Sequence, residues 1–208
     1  MIYSSCLTEE DGLLVLDASV VINLLATGCA LDVIAALSRR VVLPEAVVRE
    51  VENGEERGHG AASRCRDLLK IGGVEVLVLE GPSLPVFIEL VSGSASASLG
   101  DGEAATIALA STRPGCAVID EKKATKLLTA RFAQVRSATT IDLLAHAEVE
   151  RSIGRDRLAL GIRSALKEAR MHVRQSQFDW VSGLIGDTAT DNFPALRRFA
   201  SPGKNASR

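Results

Sequence analysis

Residues 13–25 read LLVLDASVVINLL, and this stretch decides the fold. Leu13 to Leu16 is a run of four apolar side chains that stops at Asp17. A run that short, apolar at successive positions, suits a strand buried on both faces, as in a parallel sheet covered by helices. Beyond Ser19, VVINLLA has helical spacing, and Asp17 or Ser19 suits its cap. Leu31 to Leu37 reads as a continuation of that helix.

The same alternation recurs outward along the chain. Val41 to Leu43 is a short strand stopped by Pro44, and EAVVREVENG (45–54) follows as a helix with proline at its start and Asn53-Gly54 at its end. His59 to Ile71 is amphipathic and is broken by Gly72-Gly73, after which VEVLVL (74–79) is β-rich. The small residues SGSASASLG (92–100) lead into DGEAATIALA (101–110), a helix with Asp101 as its expected N-cap. Cys116 to Ile119 is a strand ending at Asp120; EKKATKLLTARF (121–132) and Thr139 to Val149 are helices. From about residue 150 only helices are read, Asp156 to Arg174 and roughly Gln177 to Ile185. Strands that alternate with helices predict an α/β fold with a central parallel sheet and helices on both faces. The expected organisation is a catalytic unit over 13–150, a helical C-terminal extension over 151–199 packed on it, and a loose tail over 200–208.

Composition narrows the function. Of the 208 residues 47% are hydrophobic, enough for a sizeable core, but only 3% are aromatic. The core must therefore be built from Ala, Val, Leu and Ile, and a base-stacking platform for single strands is disfavoured. A formal net charge of −2 excludes nucleic-acid binding through bulk positive charge. A polyanion must instead meet a local basic patch or bound cations. Cys6, Cys29, Cys65 and Cys116 form no CxxC pair and stand near no histidine cluster, so they read as reduced, mostly buried thiols. His59, His146 and His172 are scattered, with no triad or ligand spacing. MIYSSCLTEEDG at the amino end lacks the basic and apolar regions of a signal peptide, and no apolar run reaches the ~18 residues of a membrane span. A cytoplasmic protein with no membrane partner is expected.

In parallel α/β sheets, ligands gather beyond the carboxyl ends of the strands. Two strands here end in an acid, Asp17 and Asp120, which places both at one edge of the sheet. Glu103, in the first turn of a helix, and Glu50, beside the apolar Val47 and Val51, can join them. Four carboxylates without a His or Cys partner form a hard-ligand set that favours Mg²⁺ or Mn²⁺ over zinc. Bare, they would repel one another and raise each other's pKa; a divalent cation removes that conflict. Two such ions ~4 Å apart can activate water and stabilise the leaving oxygen of a phosphodiester.

These motifs resemble the PIN-domain family. LLVLDASVVINLL looks like its opening strand and helix, with Asp17 as first metal ligand and Ser19 as the hydroxyl residue two places on. LPEAVVREV resembles the second motif with Glu50 as its acid. LGDGEAATIALA resembles the third in the branch that carries Gly-x-Gly-Glu, with Glu103 as its acid. AVIDEKKATKLL resembles the fourth, with Asp120 as ligand and Glu121 as a substitute. The resemblance covers roughly 13–150 and implies a PIN-like three-layer α/β/α fold plus C-terminal helices. It implies a catalytic set of Asp17, Glu50, Glu103 and Asp120, with Asp17, Glu103 and Asp120 on the metal. Ser19, Asp101 and Glu121 are supporting positions. It implies a Mg²⁺- or Mn²⁺-dependent endoribonuclease acting on single-stranded RNA, with many members VapC-type toxins held by an antitoxin protein and commonly homodimeric.

Lys122, Lys123 and Lys126 either touch RNA phosphates or form a solvated helix face. Arg151, Arg155, Arg157, Arg163, Lys167, Arg170 and Arg174 make 151–174 the one clearly basic segment. It reads equally as an RNA-facing arm, a surface for an acidic partner or a solvated helix. A phosphohydrolase of the haloacid dehalogenase type also opens on a strand and an Asp, but needs a second Asp where Ser19 stands. The remaining alternative is a non-catalytic PIN scaffold that binds RNA or a protein.

Overall fold

Leu13–Leu16 forms β1, and all four of its side chains are buried. The computed structural model describes residues 3–8, 11–54, 60–92, 98–186 and 192–199. β1 lies at the centre of a five-stranded sheet in the order β3-β2-β1-β4-β5, with every pairing parallel. The other strands are β2 (Arg40–Pro44), β3 (Val74–Leu77), β4 (Cys116–Val118) and β5 (Arg136–Ala138). From β1 the chain steps outward through β2 and β3, then returns to β1's other side for β4 and β5. The order therefore reverses between β1 and β4, the point at which such sheets open a crevice for ligands.

The two faces of β1 go to different cores, as alternating side chains require. Leu14 and Leu16 join the larger core, which includes Val20, Val33, Val47, Ile141 and Ile162. Leu13 and Val15 join the second, with Ile107, Leu109 and Leu128. Over the first face lie α1 (Ala18–Ala26), α2 (Ala30–Leu37), α3 (Glu45–Asn53), α4 (Ala61–Ile71), α8 (Thr140–Leu144), α9 (Ala147–Ile153), α10 (Arg155–Glu168) and α11 (Phe178–Ile185). Over the second lie α5 (Ser83–Val91), α6 (Asp101–Ser111) and α7 (Lys122–Arg131). A final helix, α12 (Pro194–Arg197), follows. This is a three-layer α/β/α arrangement, as the strand–helix alternation predicts.

Several local expectations differ. Leu31–Leu37 does not continue α1: the chain bends by 114° between α1 and α2, with Gly28 at φ +70°. The predicted helix over 139–149 is two, divided at Ala145-His146. The helix expected to reach Arg174 ends at Glu168, and Arg170 takes a left-handed backbone. β5 and α5 had no sequence counterpart. β5 is only Arg-Ser-Ala, without an apolar run, and the first turn of α5 sits amid Pro82 and Pro85, which read as punctuation. His59, much of the 92–100 stretch and the 200–208 tail lie outside the described residues. Cys29, Cys65 and Cys116 are buried free thiols, and Cys6 is exposed. Among the described residues no single helix is long and apolar enough to cross a membrane.

The C-terminal helices dock closely on α1 and α2. Gly161 in α10 makes that approach possible: a Cβ there would stand 3.0 Å from the Thr27 carbonyl oxygen and 3.2 Å from the Thr27 Cβ. A Cβ on Gly183 in α11 would meet nothing within 4 Å. Gly161→Val should therefore destabilise the chain by about 1–3 kcal/mol. Gly183→Ala should stabilise it by about 0.5–1 kcal/mol. Urea unfolding of both variants checks the pair.

Candidate active site

The carboxyl ends of β1 and β4 lie side by side, and the Asp17 N–H donates to the Val118 carbonyl at 3.1 Å. Asp17 and Asp120 thus emerge together at the crevice, only 3% and 7% exposed. Asp17 is itself the N-cap of α1. Its Oδ2 accepts from the Ser19 hydroxyl at 2.7 Å and from the Ser19 N–H at 3.4 Å. The capping role that the sequence left open between the two belongs to Asp17, and Ser19 fixes its rotamer.

Asp120 is held by three donors. The Thr140 N–H reaches Oδ1 at 2.8 Å, while the Thr140 hydroxyl and Asn23 Nδ2 reach Oδ2 at 2.5 and 2.8 Å. Thr140 is in place because Thr139 and Asp142 cap α8: the Thr139 N–H and hydroxyl donate to Asp142 Oδ2 at 2.8 and 2.6 Å. Asn23 and Thr140 were absent from the sequence reading. Their signals were a lone amide inside the apolar helix VVINLLA and a hydroxyl pair just after a short strand.

Glu103 stands in the first turn of α6, half-buried, and accepts from the Gly100 N–H at 3.2 Å. This contact corrects one expectation. Gly100, with extended backbone, is the N-cap, and Asp101 is the first helical residue. Glu50 projects from α3. Its Oε2 lies so close over Gly102 that a Cβ there would stand 2.4 Å away, and Asp17 Oδ1 would be 3.4 Å from the same point. Gly102 is thus the residue whose missing side chain lets Glu50 and Asp17 converge.

The acids share one electrostatic field. Burial, with Asp120 nearby, raises the Asp17 carboxyl above its ordinary range against the hydrogen bonds from Ser19. Burial also raises Asp120, although Thr140, Asn23 and Arg174 oppose it. Burial, then Asp17, Glu121 and Glu50, raise Glu103. Each of these groups is harder to ionise folded than unfolded, so this contribution to stability is present at acid pH and is lost as pH rises.

Two hollows flank the acids. One of about 380 Å³ is lined by Ser19, Asn23, Asp120, Glu121, Lys122 and Arg170 among others. The other, of about 520 Å³, is lined by Arg49, Glu50, Asn53 and Asp101. Glu121 is exposed and caps α7 by accepting from the Lys123 N–H at 3.3 Å, whereas Asp120 is the buried acid. Lys122 faces the first hollow, but Lys123 Nζ donates to the Ser98 carbonyl at 2.6 Å. His146 is a helix cap, its Nδ1 accepting from the Glu148 N–H at 3.4 Å. His172 lines the first hollow too, and partial burial and Arg198 hold its pKa below the ordinary histidine range.

Among the described residues no three His, Cys, Asp or Glu side chains form a ready cage for an ion. The donor set nonetheless fits a hard divalent cation. It consists of carboxylate oxygens, two of them on rigidly held aspartates; burial above all, with repulsion from neighbouring acids a smaller part at Asp17 and Glu103, disfavours their charged forms, and a bound cation offsets both effects.

A family model, DUF3368, described as a PIN domain, matches residues 13–186. The chain belongs to the PIN-domain family, whose members are generally nucleases and typically use divalent metal ions. No curated protein and no solved structure matches the chain. The match runs past residue 150 through α11.

Gly102→Ala separates stability from function. The added methyl displaces the flexible end of Glu50 but leaves the backbone unstrained, since Gly102 has no positive φ. Nuclease activity should fall by about 10²-fold. Thermal stability should hold or rise by about 0.5 kcal/mol. Equal losses in both would contradict this reading of Gly102.

Proposed function

We propose that the chain is a metal-dependent endoribonuclease that hydrolyses phosphodiester bonds in single-stranded RNA. The observation that carries this reading is the convergence of Asp17, Asp120, Glu50 and Glu103 at the point where the strand order reverses. Asp17, Glu103 and Asp120 are the residues to hold a Mg²⁺ or Mn²⁺ ion. When bound, such a cation supplies neutralisation of the phosphate and Lewis-acid activation of water.

The chain's own residues set the geometry. Thr140 and Asn23 orient Asp120, and Ser19 orients Asp17, so the two buried acids present fixed oxygens. Glu50 and Glu103 sit on longer side chains at the open side, where a small torsional change brings their oxygens inward. Glu50 is placed to take a proton from an attacking water, because its carboxylate is the exposed one of the four. The Lys122 side chain lines the hollow beside Asp120 and is placed to meet a substrate phosphate. A role as the toxin of a toxin–antitoxin pair, working as a homodimer, rests on the family resemblance.

Asp17→Asn tests the proposal. With Mg²⁺ or Mn²⁺ the wild-type chain should cut single-stranded RNA, and the variant should lose the activity by 10²-fold or more. In the absence of metal the same variant should melt about 2–4 °C higher at pH 7, since a buried repelling charge has gone. That gain should shrink as pH falls and vanish below about pH 3, where Asp17 is protonated in both folded and unfolded chains. RNA bound but never cut by the wild type would favour the scaffold reading.

A further inference from the structure

The basic segment over 151–174 divides into two groups once its contacts are traced. Arg151 pairs with Glu148, Arg155 with Glu150 at 3.3 Å, and Arg157 with Asp32 at 2.5 Å. Arg155 also donates to the Gly183 carbonyl at 3.0 Å, Arg163 to the Ile185 carbonyl, and Arg174 to the Thr125 hydroxyl at 3.1 Å. Arg151 pairs within its own helix, and the other four fasten the C-terminal helices to one another and to the core. The side chains of Lys167 and Arg170 form no hydrogen bond or ion pair with any described residue, and both residues are exposed.

Their position is specific. Arg170 lines the hollow beside Asp120, together with Glu121 and Lys122. It also lines a second hollow of about 760 Å³, with Lys167, Arg198 and Phe193. The two hollows meet at Arg170 and His172. A continuous cleft thus runs from the acids over the end of α10, and beyond Asp120 and Glu121 the charged side chains that line it are cations.

The backbone of Arg170 adds an independent observation. It follows the last turn of α10 at φ +54°, and the Met171 N–H closes that turn on the Ala165 carbonyl at 3.2 Å. Glycine or asparagine is the usual residue at such a position, because a larger side chain is strained there. Here an arginine occupies it with no side-chain partner among the described residues to offset the strain.

We propose that Lys122, Arg170 and Lys167 form a cation track that holds the RNA phosphates flanking the bond to be cut, so that the strand leaves the acid pocket across the end of α10. This rests on the nuclease reading above. It also answers how a chain of net charge −2 can grip a polyanion, since Lys122, Arg170 and Lys167 stand together along the cleft. RNA suits the track better than an acidic peptide because the track starts at the acids. A phosphodiester can bridge cation-loaded acids and cations, whereas a peptide carboxylate has no reaction to present there.

The test measures binding of a 5′-fluorescein-labelled, 12-nucleotide single-stranded RNA by anisotropy between 50 and 200 mM salt at fixed Mg²⁺. The Asp17→Asn chain serves as the uncleaving background. Each phosphate contact to a single strand contributes about −0.7 to the slope of log K against log salt. Adding Lys167→Gln and Arg170→Asn should make the slope shallower by about 1.4. Arg113→Gln, at the opposite edge of the sheet, should leave it unchanged. Arg170→Gly should raise Tm while weakening RNA binding, a pairing that a merely structural arginine would not give. An unchanged slope in the double variant overturns the track, as does an equal loss with Arg113→Gln or a failure of the Asp17→Asn chain to bind RNA. So does a poly-glutamate peptide whose binding needs Arg170 while RNA binding does not. Cleavage by the wild-type chain reports on the nuclease reading separately, so intact cleavage with an unchanged slope rejects the track alone.

Discussion

Asp17 and Asp120 end adjacent central strands, and both are almost wholly removed from water. Two like charges in that position are costly, and burial already pushes both carboxyls toward the neutral form. The surroundings answer with oriented donors, Ser19 on one acid and Thr140 with Asn23 on the other. Those hydrogen bonds stabilise the carboxylates and fix their rotamers, but leave the repulsion among four acids standing. A site arranged in this way is incomplete without added positive charge. That is the physical reason to expect a cation in the pocket and a polyanion beside it.

The rest of the fold serves to hold this tension in place. Tyr3, Cys6 and Thr139 donate to Asp142, and Gln177 from the turn before α11 donates to Thr139 at 2.8 Å. Burial works against the Asp142 charge, yet the bonds from Thr139 and Tyr3 keep its pKa low. This network joins the amino end, the start of α8 and the C-terminal extension directly behind Thr140. The extension therefore supports a residue that grips Asp120, besides placing Lys167 and Arg170 along the cleft. Its inclusion in the family match, which runs to residue 186, agrees with that integral role.

Much of this was legible in the sequence, and the reasons are local. LLVL followed at once by Asp17 signals a buried parallel strand with an acid at its carboxyl end, and CAVI with Asp120 repeats it. Chain order placed these two acids at one edge. The sequence did not show β5, because Arg-Ser-Ala at an exposed edge has no apolar pattern to display. Nor could it show Gly102 as a contact point, since the closeness of Glu50 depends on how α3 packs against α6. The donors on Asp120 come from residues 97 and 20 positions away, a separation that no local pattern encodes. The basic segment looked uniform as text. Only tertiary contacts separate the arginines that tie helices together from the cations left to meet a ligand.

The central claim is that these acids form one cation-binding pocket, and crystals grown or soaked with MnCl₂ address it directly. An anomalous difference map collected near the manganese edge should show a peak ligated by Asp17, Glu103 and Asp120, with Glu50 facing it. The absence of a peak there, at a manganese concentration that supports cleavage, or a peak only at other surface carboxylates, would contradict the account.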